Sequence, residues 1–284
     1  MVSWPELGTR VTVRYRRPAG SVPPLTDAVG HLLDVAPLVR VQTKTGTVVQ
    51  FAPEDAVALR TLSDTPLRTK EIRALEHAAA FAWPGTEQHW LDGWLLRAGH
   101  GATRSANSAV PLHASADQRA IPLIADWYRQ RGLTPRLAIP DRLLRLSHPG
   151  EHANQMLVRD VHIAAPDPSV QLSGHPLTHC EVPVDVLTAV VDGELAFGRL
   201  ADAAARAAVT DAPDGTQWVG VSLIRAADLQ AGRALCEALL AWGAARGATR
   251  GYTRISDDDQ AGAALARSLG FALHHHARYF TLST

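Results

Sequence analysis

The sequence predicts a mixed α/β (α+β) protein in which a small β-barrel precedes a mixed sheet flanked by helices. Three observations predict it. Between residues 8 and 62 the chain holds short runs in which β-branched residues alternate with polar ones, the period-2 pattern of half-buried strands. After Thr69, apolar residues at helical spacing appear between strand-like runs. From Ala204 onward, strand and helix alternate in the order ββαβαβ.

A chain of 284 residues has room for a sizeable core and more than one module. Lys plus Arg and Asp plus Glu each number 28, so no overall field draws the protein to nucleic acid or anionic lipid. Two cysteines, Cys180 and Cys236, are too few for a disulfide framework or a four-thiolate zinc site and are expected to be reduced thiols. The N-terminus lacks a basic start followed by an apolar run, and no stretch approaches the roughly 20 apolar residues of a membrane span. A cytoplasmic protein with no membrane partner is expected.

In the N-terminal part TRVTVRYRR, DAVGHLLDV, LVRVQTK, GTVVQF and AVALRTL read as strands, separated by a Pro-containing loop at 20–24, a tight turn at Thr45-Gly46 and a short turn at 52–55. So small a sheet protects its edges by closing, which makes residues 1–66 an expected SH3-like β-barrel, a module for contacts more than chemistry. Arg10, Arg14, Arg16, Arg17, Arg40 and Lys44 give it either a solvated basic face or a nucleic-acid surface. No RNA-binding aromatic pair accompanies them, so nucleic acid is not the expected partner.

Residues 67–180 open with KEIRALEHAAAF, a helix with Ile72, Leu75, Ala79 and Phe81 near one face, ended by Trp83-Pro84-Gly85. There follow a strand WLDGWLLRA, a turn GHGA, a strand near SANSAVPL, a helix over 115–131, the strands PRLAIP and QMLVRDVHIA, and a connector over 164–183. Residues 181–284 carry the paired strands AARAAVT and WVGVSLI around Asp214-Gly215, the helix AGRALCEALLAWGAAR, the strand GYTRI, the helix DQAGAALARSLG and the strand FALHHHARYFTL. The two stretches also admit a reading as diverged copies of one architecture.

The helix after WVGVSLI presents Leu235, Leu239 and Trp242 near one face and is preceded by Gln230-Ala231-Gly232. Small residues there leave N–H groups uncovered at the positive end of the helix dipole, as a pyrophosphate requires; the alternative is a close strand-to-helix turn. The order strand, turn, helix, strand, helix and Leu269-Gly270-Phe271, with GAARGATRGYTRI and ALARSLGF, resembles the GNAT acetyltransferase superfamily. WLDGWLLRAGHGATRSANSAVPL and WVGVSLI are similar to an actinobacterial N-acetylglutamate synthase-type group, which also carries an N-terminal SH3-like segment. The resemblance implies acetyl-CoA as co-substrate and a primary amine as acceptor, with glutamate, a protein lysine and a protein N-terminus all open. It further implies a splayed strand at 218–224 and direct attack by the amine. Cofactor contacts would come from Val219, Gly220, Val221, Ser222, Leu223, Arg225, Gln230, Ala231, Gly232, Arg233 and Ala234. Ala227 and Gln230 replace the leading Gln or Arg and the first Gly of the usual turn, and the loop is short. Ala266 stands where many relatives carry a thiolate-protonating tyrosine, which leaves Tyr252 and Tyr279 as the nearby tyrosines. A second expectation, from the same departures, is a GNAT-like binding or regulatory protein with a degenerate cofactor site.

Other residues admit chemistry beside a plainer role. Glu194 reads as a general base on a strand or as a solvated hairpin residue. Arg97, Arg104 and Asn107 read as acceptor-binding residues or, with Gly99 and Gly101, as turn and packing elements. His274-His275-His276 suits a metal, a substrate cleft or strand packing, and without further ligands no metal site is expected. Asp257, Asp258 and Asp259 suit a helix cap, and Cys236 a small buried position rather than a nucleophile. Association into a homo-oligomer is left open.

Overall fold

A computed structural model describes residues 2–43, 45–62, 67–147, 149–165, 167–176 and 181–282. Lys44 and Cys180 lie outside the described residues. The chain divides into two compact units, Met1–Leu67 and Arg68–Thr284.

The first unit is an antiparallel sheet of β1 (Arg10–Arg16), β2 (Leu25–Asp34), β3 (Val39–Thr43), β4 (Val48–Phe51) and β5 (Ala56–Thr61) in the order β4-β3-β2-β1-β5. Alternation works as the sequence demands: Val11, Val13, Ala28, Leu32, Val39, Val41 and Phe51 turn inward and form the core. The SH3-like barrel expected here does not close: β4 and β5 are the two edges of the sheet and have no ladder between them among the described residues. The sheet curls instead, far enough for Tyr15 on β1 to stack on Phe51 at 4.1 Å. Gly30 permits that curvature, since a Cβ there would lie 1.8 Å from the Gln42 carbonyl oxygen.

The second unit begins with α1 (Thr69–Ala82), β6 (Glu87–Leu91), β7 (Trp94–Ala98), β8 (Val110–Pro111), α2 (Ile121–Arg129), β9 (Arg136–Pro140), β10 (Glu151–Asp160) and β11 (Gln171–Ser173). It continues with α3 (Val184–Leu187), β12 (Glu194–Leu200), β13 (Ala203–Asp211), β14 (Gln217–Arg225), α4 (Leu229–Ala244), β15 (Arg250–Ser256), α5 (Gln260–Ser268) and β16 (Ala272–Thr281). WLDGWLLRA, expected as one strand, is the hairpin β6–β7: Asp92 (φ 46°) and Gly93 (φ 86°) make a two-residue turn of the kind Asp-Gly favours. The helix expected from residue 115 starts at Ile121, because Asp117 first caps a short 3-10 turn. The connector over 164–183 contains β11, and β12 adds a strand before the expected ββαβαβ run.

Eight strands form one sheet in the order β11-β12-β13-β14-β15-β10-β16-β9, while β6, β7 and β8 form a small second sheet. β10 thus lies between β15 and β16, so strands from 67–180 and 181–284 interleave in the main sheet. Successive residues of each strand face opposite layers. Ala207, Val209, Val219 and Val221 pack on α4 through Leu235 and Leu239. Ala208, Trp218, Tyr252 and Met156 pack on α1 through Leu75, Ala78, Ala79 and Ala82. Glycines set the α4 layer close to the sheet: a Cβ at Gly198 would come within 2.7 Å of Leu235 Cδ1, and one at Gly243 within 2.5 Å of Val219.

Candidate active site

β14 is the strand on which the site is built. It pairs with β13 along most of its length but with β15 only from Trp218 to Gly220, opposite Arg250 to Tyr252 and parallel. Past Gly220 the two strands part, and the β15-facing backbone groups of the following residues have no ladder partner. The β13–β14 register shifts between Ala204 and Arg206, opposite Leu223, whose φ of 51° is a left-handed value rare for a leucine. The bulge falls among the residues that line the gap.

Two cavities meet there. The one on the α1 face, of 200 Å³, is lined by Ala79 of α1 and its C-cap Trp83, Arg97, Thr103 and Ser105, Gly220 to Leu223, Tyr252 and Arg254 of β15, and Tyr279 of β16. The other, of 540 Å³, runs from Ser222, Leu223 and Arg254 past Ala226, Ala227 and Asp228 to the start of α4 and to Asp259, Gly262 and Leu265 at α5. Ser222, Leu223 and Arg254 border both.

Tyr252 stands at the point of divergence, directly over Gly220: a Cβ at Gly220 would lie 2.2 Å from its Cζ and 2.3 Å from its hydroxyl oxygen. Burial raises the phenol above its ordinary value, against the opposing pull of Arg206, Arg254 and Arg97, so it stays protonated at neutral pH. Trp83 Nε1 donates to Ser222 Oγ at 3.2 Å, fixing α1 against the splayed edge. Tyr279 reaches Ser105 Oγ at 3.3 Å.

Behind Arg254 is a buried network whose members, His275 apart, do not stand out in the sequence. Arg254 Nη2 donates to Glu76 Oε2 at 2.7 Å and Nη1 to Asn154 Oδ1 at 3.2 Å, while Glu76 Oε1 lies 2.8 Å from His275 Nε2. Burial alone would raise the Glu76 carboxyl, but Arg254 and His275 outweigh it and hold the group at about 2. Glu76 could have been found: with Ile72, Leu75 and Ala79 it completes an i, i+3, i+4, i+7 stripe, an acidic residue in the core-facing row of α1. Arg254 lies two residues beyond Tyr252 on β15 and so shares its face.

Of the expected cofactor residues, Gly220, Val221, Ser222 and Leu223 border the cavities. Val219 is buried in the ladder, and Arg225, Gln230 and Arg233 are exposed outside both. Gly232 is a packing glycine: a Cβ would come within 3.2 Å of Ala226 Cβ and of Leu265 Cδ2. The Ala231 N–H is taken by the Asp228 carboxylate at 2.8 Å, an N-cap that puts negative charge where the sequence suggested phosphate. Ala234 lines a separate groove with Arg159 and His162.

Glu194, expected as a base, lies outside both cavities. It is exposed and paired with Arg246 Nε at 2.7 Å, because it begins β12 beside the C-terminal end of α4. Arg97 does border the α1-face cavity, where its guanidinium donates to Trp83 O, Ser108 O and Ser108 Oγ. Arg104 is exposed, 2.9 Å from His152 Nε2. Asn107 serves the turn: its Oδ1 accepts from the Gly99 and Gly101 N–H groups and its Nδ2 donates to Gly99 O and Thr103 O. In the histidine triplet His275 is buried on Glu76 and its Nδ1 lies 2.7 Å from that of His274. Among the described residues no group of three or more His, Cys, Asp or Glu is arranged to hold a metal ion. Asp259 caps α5 through the Gly262 N–H, and Cys236 is buried, its thiol pushed up to about 12 by burial first and by Glu237. No described helix is long and apolar enough to cross a membrane.

Residues 69–280 match the family model described as probable histone acetyltransferase Rv0428c, C-terminal. The chain belongs to this family. Residues 5–60 match the model of the family's N-terminal Sm-like domain, so the open sheet of the first unit is Sm-like where an SH3-like barrel was expected. A relative from Mycobacterium tuberculosis, a probable histone acetyltransferase, is 64% identical over 98% of this chain and 96% of its own length. A GCN5-related N-acetyltransferase from Kribbella flavida shares the fold at a TM-score of 0.51 and 13% identity, over 78% of this chain and 97% of that one. The Rv0428c-family chain is therefore an acetyltransferase, and it shares its fold with a GCN5-related N-acetyltransferase.

Proposed function

We propose that the protein transfers the acetyl group of acetyl-CoA to a primary amine. The observation that carries this reading is the parting of β14 from β15 at Gly220, with the Tyr252 phenol at the apex and a cavity on either side. A thioester lying along the gap would meet unpaired backbone donors of residues 221–223, which suit the carbonyl oxygen as its charge grows. The amine enters from the α1-face cavity and attacks the carbonyl carbon. A C–N bond forms, the C–S bond breaks, the amine loses a proton to water or base, and Tyr252 supplies one to the departing thiolate.

The residues fit the two ends of acetyl-CoA unequally. Leu223, Ile224, Ala226, Ala227, Leu229 and Leu265 offer an apolar wall to the pantetheine arm. At the phosphate end Asp228 and Asp259 line the cavity as helix caps, and Arg254 is its one arginine. This supports weak cofactor binding, and it is the observation that favours a second reading, a GNAT-like binding or regulatory protein. Calorimetric titration with acetyl-CoA separates the two: no binding at millimolar concentration removes the transferase reading. Thiol release with glutamate, other amino acids, lysine peptides and protein N-termini then sorts the acceptors, and the name of the mycobacterial relative, a probable histone acetyltransferase, adds a histone to those worth testing.

A further inference from the structure

The α1-face cavity has two charged side chains in its lining, and both are arginines. Arg254 is matched by Glu76 at 2.7 Å. Arg97, 5% exposed, is not: its three partners are two carbonyl oxygens and a hydroxyl. A third guanidinium stands behind the cavity wall, where Arg206, 1% exposed, stacks 4.1 Å over the Trp83 ring. It donates to the carbonyls of Ala82, Leu187 and Ala189, and its Nη1 has no partner. Among the described residues no carboxylate pairs with Arg97 or Arg206. Around the Tyr252 hydroxyl three arginines therefore face one carboxylate, Glu76.

Burying a cation without a counter-charge is costly unless a ligand supplies one. Ser108 takes the Nε–Nη2 side of the Arg97 fork and Trp83 O one Nη1 donor, which leaves one N–H on Nη1 and one on Nη2 for a carboxylate. The cavity, at 200 Å³, suits a small molecule.

We propose that this cavity binds a carboxylate carried by one of the two reactants, with Arg97 as the residue that reads it. The proposal rests on the acyl-transfer reading above and narrows its substrates. The carboxylate has two possible sources. It is either the acid group of an amino-acid-like acceptor or the free end of a dicarboxylic acyl group on CoA. A plain amine carrying an acetyl group from acetyl-CoA leaves Arg97 without its counter-charge and is the poor combination.

The test compares matched pairs on the wild-type protein by thiol release. One arm offers acetyl-CoA with the free L-amino acids, their α-amides and a capped lysine peptide. The other offers succinyl-CoA or malonyl-CoA against acetyl-CoA, with the α-amides as acceptors. In one arm the carboxylate form is expected to exceed its neutral counterpart in kcat/KM by about 10- to 150-fold, the span of one charge-assisted hydrogen bond gained or lost. Arg97→Met, checked for folding by circular dichroism, should shrink that preference while leaving the affinity for free CoA unchanged. Neutral forms equal to or better than the carboxylate forms in both arms would overturn the carboxylate assignment while leaving acyl transfer standing. Failure of every acyl-CoA to bind would sink both.

Discussion

Placing a methyl group on Gly220 tests the geometry at the centre of the site. In Gly220→Ala the new Cβ would lie 2.2 Å from Tyr252 Cζ, 2.3 Å from the hydroxyl oxygen and 2.6 Å from Cε1. That is more than about 1 Å inside ordinary van der Waals contact, and it meets the rigid ring. The ring has little room to retreat, since Tyr252 is buried and packs edge-on against Trp218 with centroids 6.2 Å apart. Overpacking of this kind costs about 1–3 kcal/mol, and a pinned ring puts the expectation near the upper end. Urea denaturation should show that loss, and turnover should fall because the phenol is displaced from the gap. A double-mutant cycle with Tyr252→Ala isolates the cause. Once the ring is gone the methyl group has space, so the double variant should be more stable than additivity predicts by at least about 1 kcal/mol. Additive losses would refute the claim that Gly220 is glycine because Tyr252 lies over it.

Three further outcomes are expected. Tyr252→Phe keeps the packing and removes the proton, so kcat should drop by about 100-fold or more with little change in acetyl-CoA affinity, whereas Tyr279→Phe should cost far less; equal effects would reassign the acid. Stability should fall as the solution is acidified, in two stages with the same sign. His274 is depressed to about 4, by burial first and then by His275 and Arg250, so the unfolded chain takes up its proton first and stability is lost from about pH 6.5 down to about 4. Glu76, held at about 2, adds a loss from the usual carboxylate range downward. Urea midpoints across pH should show His274→Gln flattening the first stage and Glu76→Gln the second, and an unchanged slope in either variant would refute its assignment. Asp228→Ser keeps a capping oxygen and removes a charge from the mouth of α4, so acetyl-CoA should bind about 2- to 5-fold more tightly at low salt, an advantage that shrinks as salt is added. Weaker binding would show that Asp228 helps the cofactor.

Much of the fold was legible because its signals are local. The strands of the Sm-like unit and the helices α1, α4 and α5 lie where periodicity places them. Closure of the first sheet was not legible, since it depends on how the edges β4 and β5 meet and no local pattern encodes that. Asp92-Gly93 was a turn signal hidden inside an apolar run. Residues 220–223, expected from the order of elements, border the cavities, while Glu194 lies outside them because a strand period does not say which sheet end a residue occupies. Glu76 and Arg254 were missed for a different reason. They are 178 positions apart, and the need each has for the other appears only when α1 is laid across the sheet. Gly232 showed the limit of composition: a small residue at a helix start serves a phosphate or a neighbouring helix equally well, and here Ala226 and Leu265 occupy the space.

The position of β10 between β15 and β16 bears on how the protein is made. During synthesis β10 leaves the ribosome with neither neighbour in existence, and its second flank is filled only when residues 272–281 emerge. Until then at least one edge of residues 151–160, Met156, Leu157 and Val158 among them, is open to any strand that would pair with it. The consecutive strands β11 to β14 can pair as they emerge, but the sheet is completed only when β16 joins β10 to β9, so the nascent chain keeps an edge open to mispairing until nearly all of it has been made. Shortening the chain before β16 would prolong that state indefinitely.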